Sequence, residues 1–254
     1  MEPPGNVATV ATLEKAIDIL FHLHGEPEAR GVTAIGRALG MPKSSAHRLL
    51  AALSRRGLVE RDDRGRYRTG MGLVALGLGA LQHDPIGLAA RPILEWEARE
   101  LGETVFLVAA RGGRLVVLDK AEGTGFLRAA PQVGSTVPVH ATAVGKLYLA
   151  FGPDAIEPVG DEPERFTDRT ATSAKALAGE VERIRRQGFA ENREEWIPGL
   201  AVVAAPVRVG GRLVGALAVA APIQRLDALG REWVGEQAMA AAARVAARLE
   251  GSET

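Results

Sequence analysis

Cysteine is absent from the 254 residues, and with it go disulfides, cysteine-ligated zinc and thiol nucleophiles. That fits a reducing compartment and excludes a disulfide-stapled scaffold. An excess of either charge is missing too, because 31 basic residues meet 31 acidic ones. The apolar segment between Gly199 and Pro222 is cut by Arg208 and Arg212, so a bilayer span is not expected there. The opening MEPPGNVATVATLEK lacks a basic stretch followed by an apolar one, so export is not expected and a cytoplasmic protein is. Internal repeats and long disordered linkers are also absent. With 46% hydrophobic and 24% charged residues, the composition is that of a folded chain, and at about 150 residues per domain the length gives two domains.

What is present is a local excess of positive charge. Residues 37–68 hold nine basic side chains against three acidic ones, an excess of six that the rest of the chain must offset. Such a patch is either a solvated basic face or a surface that meets phosphates. The apolar pattern around it decides between them. Val10, Leu13, Ala16, Ile17, Leu20 and Leu23 recur at helical spacing, with Thr9 as cap and Gly25 as stop. A short second helix fits Thr33 as N-cap, Ile35, Ala38 and Leu39 as its stripe and Gly40 as its end. In the third, residues 43–56, Ala46, Leu49, Leu50 and Leu53 share one face, while Ser44, Arg48, Ala51 and Arg55 share the other.

Leu58-Val59-Glu60 and Arg66-Tyr67-Arg68 then read as two strands joined by a tight turn at Asp62-Asp63-Arg64-Gly65. Helix, helix, turn, helix and hairpin make the winged form of the helix-turn-helix unit. A helix presenting Lys43, Ser44, Ser45, His47 and Arg48 near its start can enter a major groove, with Arg48 in reach of guanine O6 and N7. Arg64 and Arg66 in the wing would hold phosphate or the minor groove, and Thr33 and Arg55 complete the candidate DNA contacts.

Beyond the wing, residues 71–82 are apolar with many small side chains and read as a linker helix that packs against another subunit. The spacing predicts helices over 85–101, 142–151, 173–187 and 227–249, and strands over 104–110, 115–119, 202–209 and 213–220. Strands joined as hairpins argue for an antiparallel sheet covered by helices, an α+β fold. The expected organisation is a DNA-binding domain over 1–70, a linker helix over 71–84 and a second domain over 85–254.

Catalytic motifs are weak. Gly70-Met-Gly72-Leu-Val-Ala75 matches a nucleotide-binding fingerprint but follows a two-stranded wing, and Gly145-Lys146 lacks the upstream glycine of a phosphate loop. The five histidines are scattered, so no metal site is expected. His140 beside Thr142, with Asp119 as orienter, can be drawn as a hydrolytic set, but nothing in the spacing fixes its geometry. No catalytic residue and no cofactor is assigned.

The runs PKSSAHRLL, HATAVGK and GFAENREEWIPG occur in this order across nearly the whole chain, and in them the sequence resembles the IclR family of bacterial transcriptional regulators. The resemblance implies a GAF-like effector-binding second domain and homodimers that pair into dimers of dimers. It also implies a ligand pocket between the sheet and the HATAVGK loop, walled by Phe126, Ala129, Val137, Ala143, Val144, Asn192, Leu200, Val202, Ala218 and Ala220. Family members that carry Cys or Ser at the position of Val202, and Ser at those of Ala218 and Ala220, differ here at all three. A wall of Phe, Val, Leu and Ala favours a carboxylate or amide with an apolar or aromatic body over a small polar oxoacid. The reading is a ligand-responsive regulator on a two-fold symmetric DNA operator, with no membrane association. The alternatives are an enzyme working through the second domain and a DNA-binding protein without an effector.

Overall fold

The computed structural model describes residues 5–82, 84–125, 131–160 and 162–251, and divides the chain into two compact units, residues 1–83 and 84–254. The first unit opens with helices α1 (Gly5–His24), α2 (Val32–Ala38) and α3 (Lys43–Arg55). Strands β1 (Val59–Arg61) and β2 (Tyr67–Thr69) pair antiparallel, and α4 (Met71–Gln82) follows. Its core is Ile19, Leu23, Ile35, Met41, Ala46, Leu50, Leu53, Val59 and Tyr67.

Three expectations are corrected here. Helix α1 starts at Gly5, so Thr9 lies inside it and does not cap it. The N-cap of α2 is Gly31, one residue before the helix, and Thr33 is an exposed residue of its first turn. Leu13 and Ile17 do not face the core: they are 61% and 42% exposed, in line with Phe21 at 67%. The turn between α2 and α3 depends on Gly36, where a Cβ would stand 2.9 Å from the carbonyl oxygen of Met41. The glycines of the fingerprint-like run have a similar role, since a Cβ on Gly70 would come within 2.3 Å of Gly57 O and one on Gly72 within 2.8 Å. They let the chain pass close to Gly57, which is a packing role.

The second unit is a five-stranded antiparallel sheet with helices on both faces. After α5 (Pro85–Leu101) come β3 (Thr104–Arg111), β4 (Arg114–Ala121), α6 (Ala143–Phe151) and α7 (Ala174–Gln187). Then follow β5 (Ala190–Arg193), β6 (Leu200–Val209), β7 (Arg212–Pro222), α8 (Ile223–Leu229) and α9 (Arg231–Glu250). The strand order is β4-β3-β7-β6-β5. Along β7, Leu217, Val219 and Ala221 join the core made with α5, α8 and α9, while Ala216, Ala218 and Ala220 join the one made with α6 and α7. The helix expected over 227–249 is two helices, because Gly230 breaks it with a φ of 87°. Strand β5 was not expected. Among the described residues no single helix is long and apolar enough to cross a membrane.

Thr142 caps α6, its Oγ1 accepting from Gly145 N–H at 3.0 Å and donating to Pro138 O at 2.7 Å. Gly145 sits so close beneath residue 139 that a Cβ would meet Val139 O at 1.9 Å. Gly145→Ala should therefore destabilise the second unit by at least about 1 to 3 kcal/mol, read as a lower denaturation midpoint in urea.

Candidate nucleic-acid interface and ligand cavity

Helix α3 is divided between core and solvent. Ala46, Leu50 and Leu53 are buried; Lys43, Ser44, His47, Arg48 and Arg55 are exposed, with Ser45 half-buried between them. Pro42 precedes the helix and supplies no side-chain cap, which leaves first-turn N–H groups available to an anion. The predicted contacts on this helix therefore share one accessible, uncompensated basic face.

In the wing the two predicted arginines differ. Arg64 is exposed, and its guanidinium makes no ion pair among the described residues. Arg66 is half-buried, and its Nε donates to Asp62 Oδ2 at 2.9 Å. The N–H of Arg66 is the main cause holding the Asp62 carboxyl below the usual carboxylate range, aided by the Arg66 guanidinium and the N–H of Arg64.

On the α6/α7 face of the sheet lies a cavity of about 20 Å³, lined by Phe106, Pro131, Val137, Thr142, Ala143, Val144, Asn192, Trp196, Leu200 and Val202. That is room for a single water. Strand register assembles it: Asn192 pairs with Val202 and Val202 with Ala220, while Phe106 pairs with Ala218. Val137, Ala143, Val144, Asn192, Leu200 and Val202 were expected and meet here. Ala218 and Ala220 are buried in the same apolar layer without lining the cavity, and Phe126 and Ala129 lie outside the described residues. Phe106, Pro131 and Trp196 were not singled out in the sequence, although strand alternation marks the first, and Thr142 was considered only for a hydrolytic set. Asn192 donates its amide to Ala141 O, which fixes it against the loop before α6.

A buried ionic group supports the cavity. Lys146 of α6 is fully buried and pairs with Glu180 of α7 and Glu195 of the β5–β6 loop, next to Trp196. Burial pushes the Glu195 carboxyl up, against the pull of Lys146. The hydrolytic set is not assembled. His140 Nε2 is 2.7 Å from Glu164 O with its ring stacked on Phe166, Thr142 is taken up by the cap, and Asp119 pairs with Arg91 at 2.8 Å. Among the described residues no group of three His, Asp or Glu side chains is placed to hold a metal.

Comparison with known proteins accounts for both units. Residues 12–63 match the IclR helix-turn-helix domain, and residues 78–247 match the C-terminal domain of the bacterial transcriptional regulator IclR. The chain belongs to the IclR family. It is 32% identical over 222 residues to the glycerol operon regulatory protein of Streptomyces coelicolor, covering 85% of this chain and 87% of that one. With the regulator XynR of Escherichia coli it shares 31% over 225 residues, 86% and 88% of the two chains. The crystal structure of the Thermotoga maritima IclR superposes with a TM-score of 0.75 at 27% identity, over 94% of this chain and 99% of the other. An IclR homolog from Microbacterium hydrocarbonoxydans, solved with 4-hydroxybenzoate, superposes at 0.79 with 24% identity over the same shares, a likeness of fold. Family membership makes the basic helix-turn-helix unit the DNA-binding part of a transcriptional regulator.

Glu195 gives a test of the buried ionic group. Between the ordinary value of 4.5 and its raised value, the folded protein keeps a proton that the unfolded chain releases, so stability falls as pH rises through that window. Wild-type protein should lose stability relative to Glu195→Gln as pH is raised from about 4.5 toward neutrality. Urea denaturation across a pH series measures the difference; parallel curves would show that Glu195 titrates normally.

Proposed function

We propose that the protein regulates transcription by placing α3 in the major groove of a two-fold symmetric operator and by binding a small effector in the cavity beside α6. The observation that supports the first part is the exposed face of α3, with Lys43, Ser44, His47, Arg48 and Arg55 on it and every buried apolar side chain behind it. Arg48 reads a guanine; Lys43, Arg55 and Arg64 neutralise phosphates, and Thr33 and Ser45 stand at the margin. The role is regulatory and cytoplasmic, and it needs no catalytic residue, metal or cofactor.

A symmetric operator implies a dimer. Leu13, Ile17 and Phe21 on α1 and Met71, Val74 and Leu78 on α4 are exposed at helical spacing. Two such stripes in one small unit are what a second copy of this chain would cover.

For the effector, the lining supports an apolar or aromatic body with one polar group, a carboxylate or amide, received near Asn192 and the start of α6. As it stands the cavity has room for about one water, so the effector binds a more open arrangement. A ligand that prefers that arrangement shifts the population toward it, and DNA affinity changes only so far as the two arrangements differ in it.

Two measurements check this reading. Footprinting should show a two-fold symmetric site with half-sites about 34 Å or a multiple apart, and Arg48→Ala should cost about 1 to 3 kcal/mol on the operator and little on random DNA. Equal losses on both would move recognition away from Arg48. In calorimetry, 4-hydroxybenzoate or benzamide should bind with a negative heat-capacity change, and pyruvate and glyoxylate should not. Binding of the small oxoacids alone would reject the apolar pocket.

A further inference from the structure

We propose that Asp62 is a positioning residue for DNA binding: its carboxylate shapes the wing tip so that Arg64 points outward, and Arg66 serves to hold that shape. The inference rests on the reading of residues 59–69 as a DNA-contacting wing.

Three donors converge on one carboxylate. Oδ1 accepts from the N–H of Arg64 at 3.0 Å and of Arg66 at 2.8 Å, and Oδ2 accepts from Arg66 Nε at 2.9 Å. The backbone closes the same loop: Asp62 N–H donates to Arg66 O at 2.8 Å and Gly65 N–H to Asp62 O at 2.9 Å. Gly65 has a φ of 74°, and a Cβ there would stand 2.8 Å from a guanidinium nitrogen of Arg61, itself 5.7 Å over the Tyr67 ring. The tip is thereby fixed from inside by Asp62, and Arg64 stands exposed on the turn, with Arg61 exposed beside it and turned over the Tyr67 ring. An aspartate whose carboxylate accepts from backbone N–H groups two and four residues on fixes a turn more tightly than its charge alone accounts for.

Charge by itself argues the opposite effect. A carboxylate among phosphates repels them, so deleting it would tighten binding. Asp63, adjacent and exposed, is a matched control with the same charge.

The test is the affinity of the full-length protein for a random-sequence duplex over a salt series. Asp62→Ala should weaken binding several-fold and flatten the log–log salt dependence by about one, as should Arg64→Ala, and the double variant should flatten it no further. Asp62→Asn, whose amide oxygen still accepts from both N–H groups, should keep the wild-type slope. Asp63→Ala should bind more tightly than wild type. Should the alanine variant fail to fold, Asp62→Glu, equal in charge but longer by a methylene, should show the same flattened slope. Binding by Asp62→Ala or Asp62→Glu as tight as wild type, or an Asn variant as flat as the Ala one, would overturn the proposal. An unchanged slope for Arg64→Ala would instead discard the DNA-contacting wing and leave the geometry of Asp62 untouched.

Discussion

A lysine ammonium with no exposure to solvent persists only if carboxylates come to it, and Lys146 brings two, one from α7 and one from the β5–β6 loop. Burial makes Glu195 hold its proton more firmly than usual against the pull of Lys146, and the second carboxylate, Glu180, adds a smaller push in the same direction. The same three side chains tie together α6, whose first turn floors the cavity, and the loop that carries Trp196 into its wall. Both layers are apolar clusters, but this one encloses a cation with no exposure, whereas the layer made by α5, α8 and α9 has its ion pair, Glu97 of α5 with Arg244 of α9, at an edge where the guanidinium reaches solvent. That difference gives the α6/α7 side a polar framework around an apolar cavity.

The first unit solves a different problem. Its core, nine buried residues among those described, is small, and α3 contributes to it with one face only, so the opposite face remains free for a partner of opposite charge. The apolar stripes on α1 and α4 are surplus to that core. On the proposed reading, contact with DNA and contact with a second copy draw on separate faces of the unit, one basic and one apolar.

Much of this was legible from residue order. The bounds of α4 and α5 match the apolar periodicity and its Gly and Pro punctuation, and the caps Thr142 and Ser173 stand where Ser and Thr precede a helical run. Errors arose where two signals competed. Thr33 is a better cap by residue type than Gly31, but the chain enters α2 one residue earlier, and backbone geometry decided. Asp227 to Leu249 keeps a helical rhythm across Gly230, so periodicity hid the break. Strand β5, four residues with three polar side chains, has no apolar signature, and its burial comes from the neighbouring strand β6. Leu13 and Ile17 kept the helical spacing of core residues because they too are apolar on one face, though a face the first unit alone does not cover. Of the eight described residues expected at an effector pocket, six line this cavity; Ala218 and Ala220 fall just behind the wall because small side chains recede from it.

Trp196 has a further consequence. The chain has three tryptophans, Trp96, Trp196 and Trp233, and all lie in the second unit. Trp96 and Trp233 are each 45% exposed, whereas Trp196 forms part of the cavity wall. Indole emission follows the polarity of its surroundings, so occupancy of the cavity changes the intrinsic fluorescence of the protein through Trp196. The DNA-binding unit contains no tryptophan, so α3 and the wing contribute no indole signal of their own. With an effector in this cavity, as proposed, Trp196 would be a built-in optical reporter that separates ligand binding from DNA binding without any label.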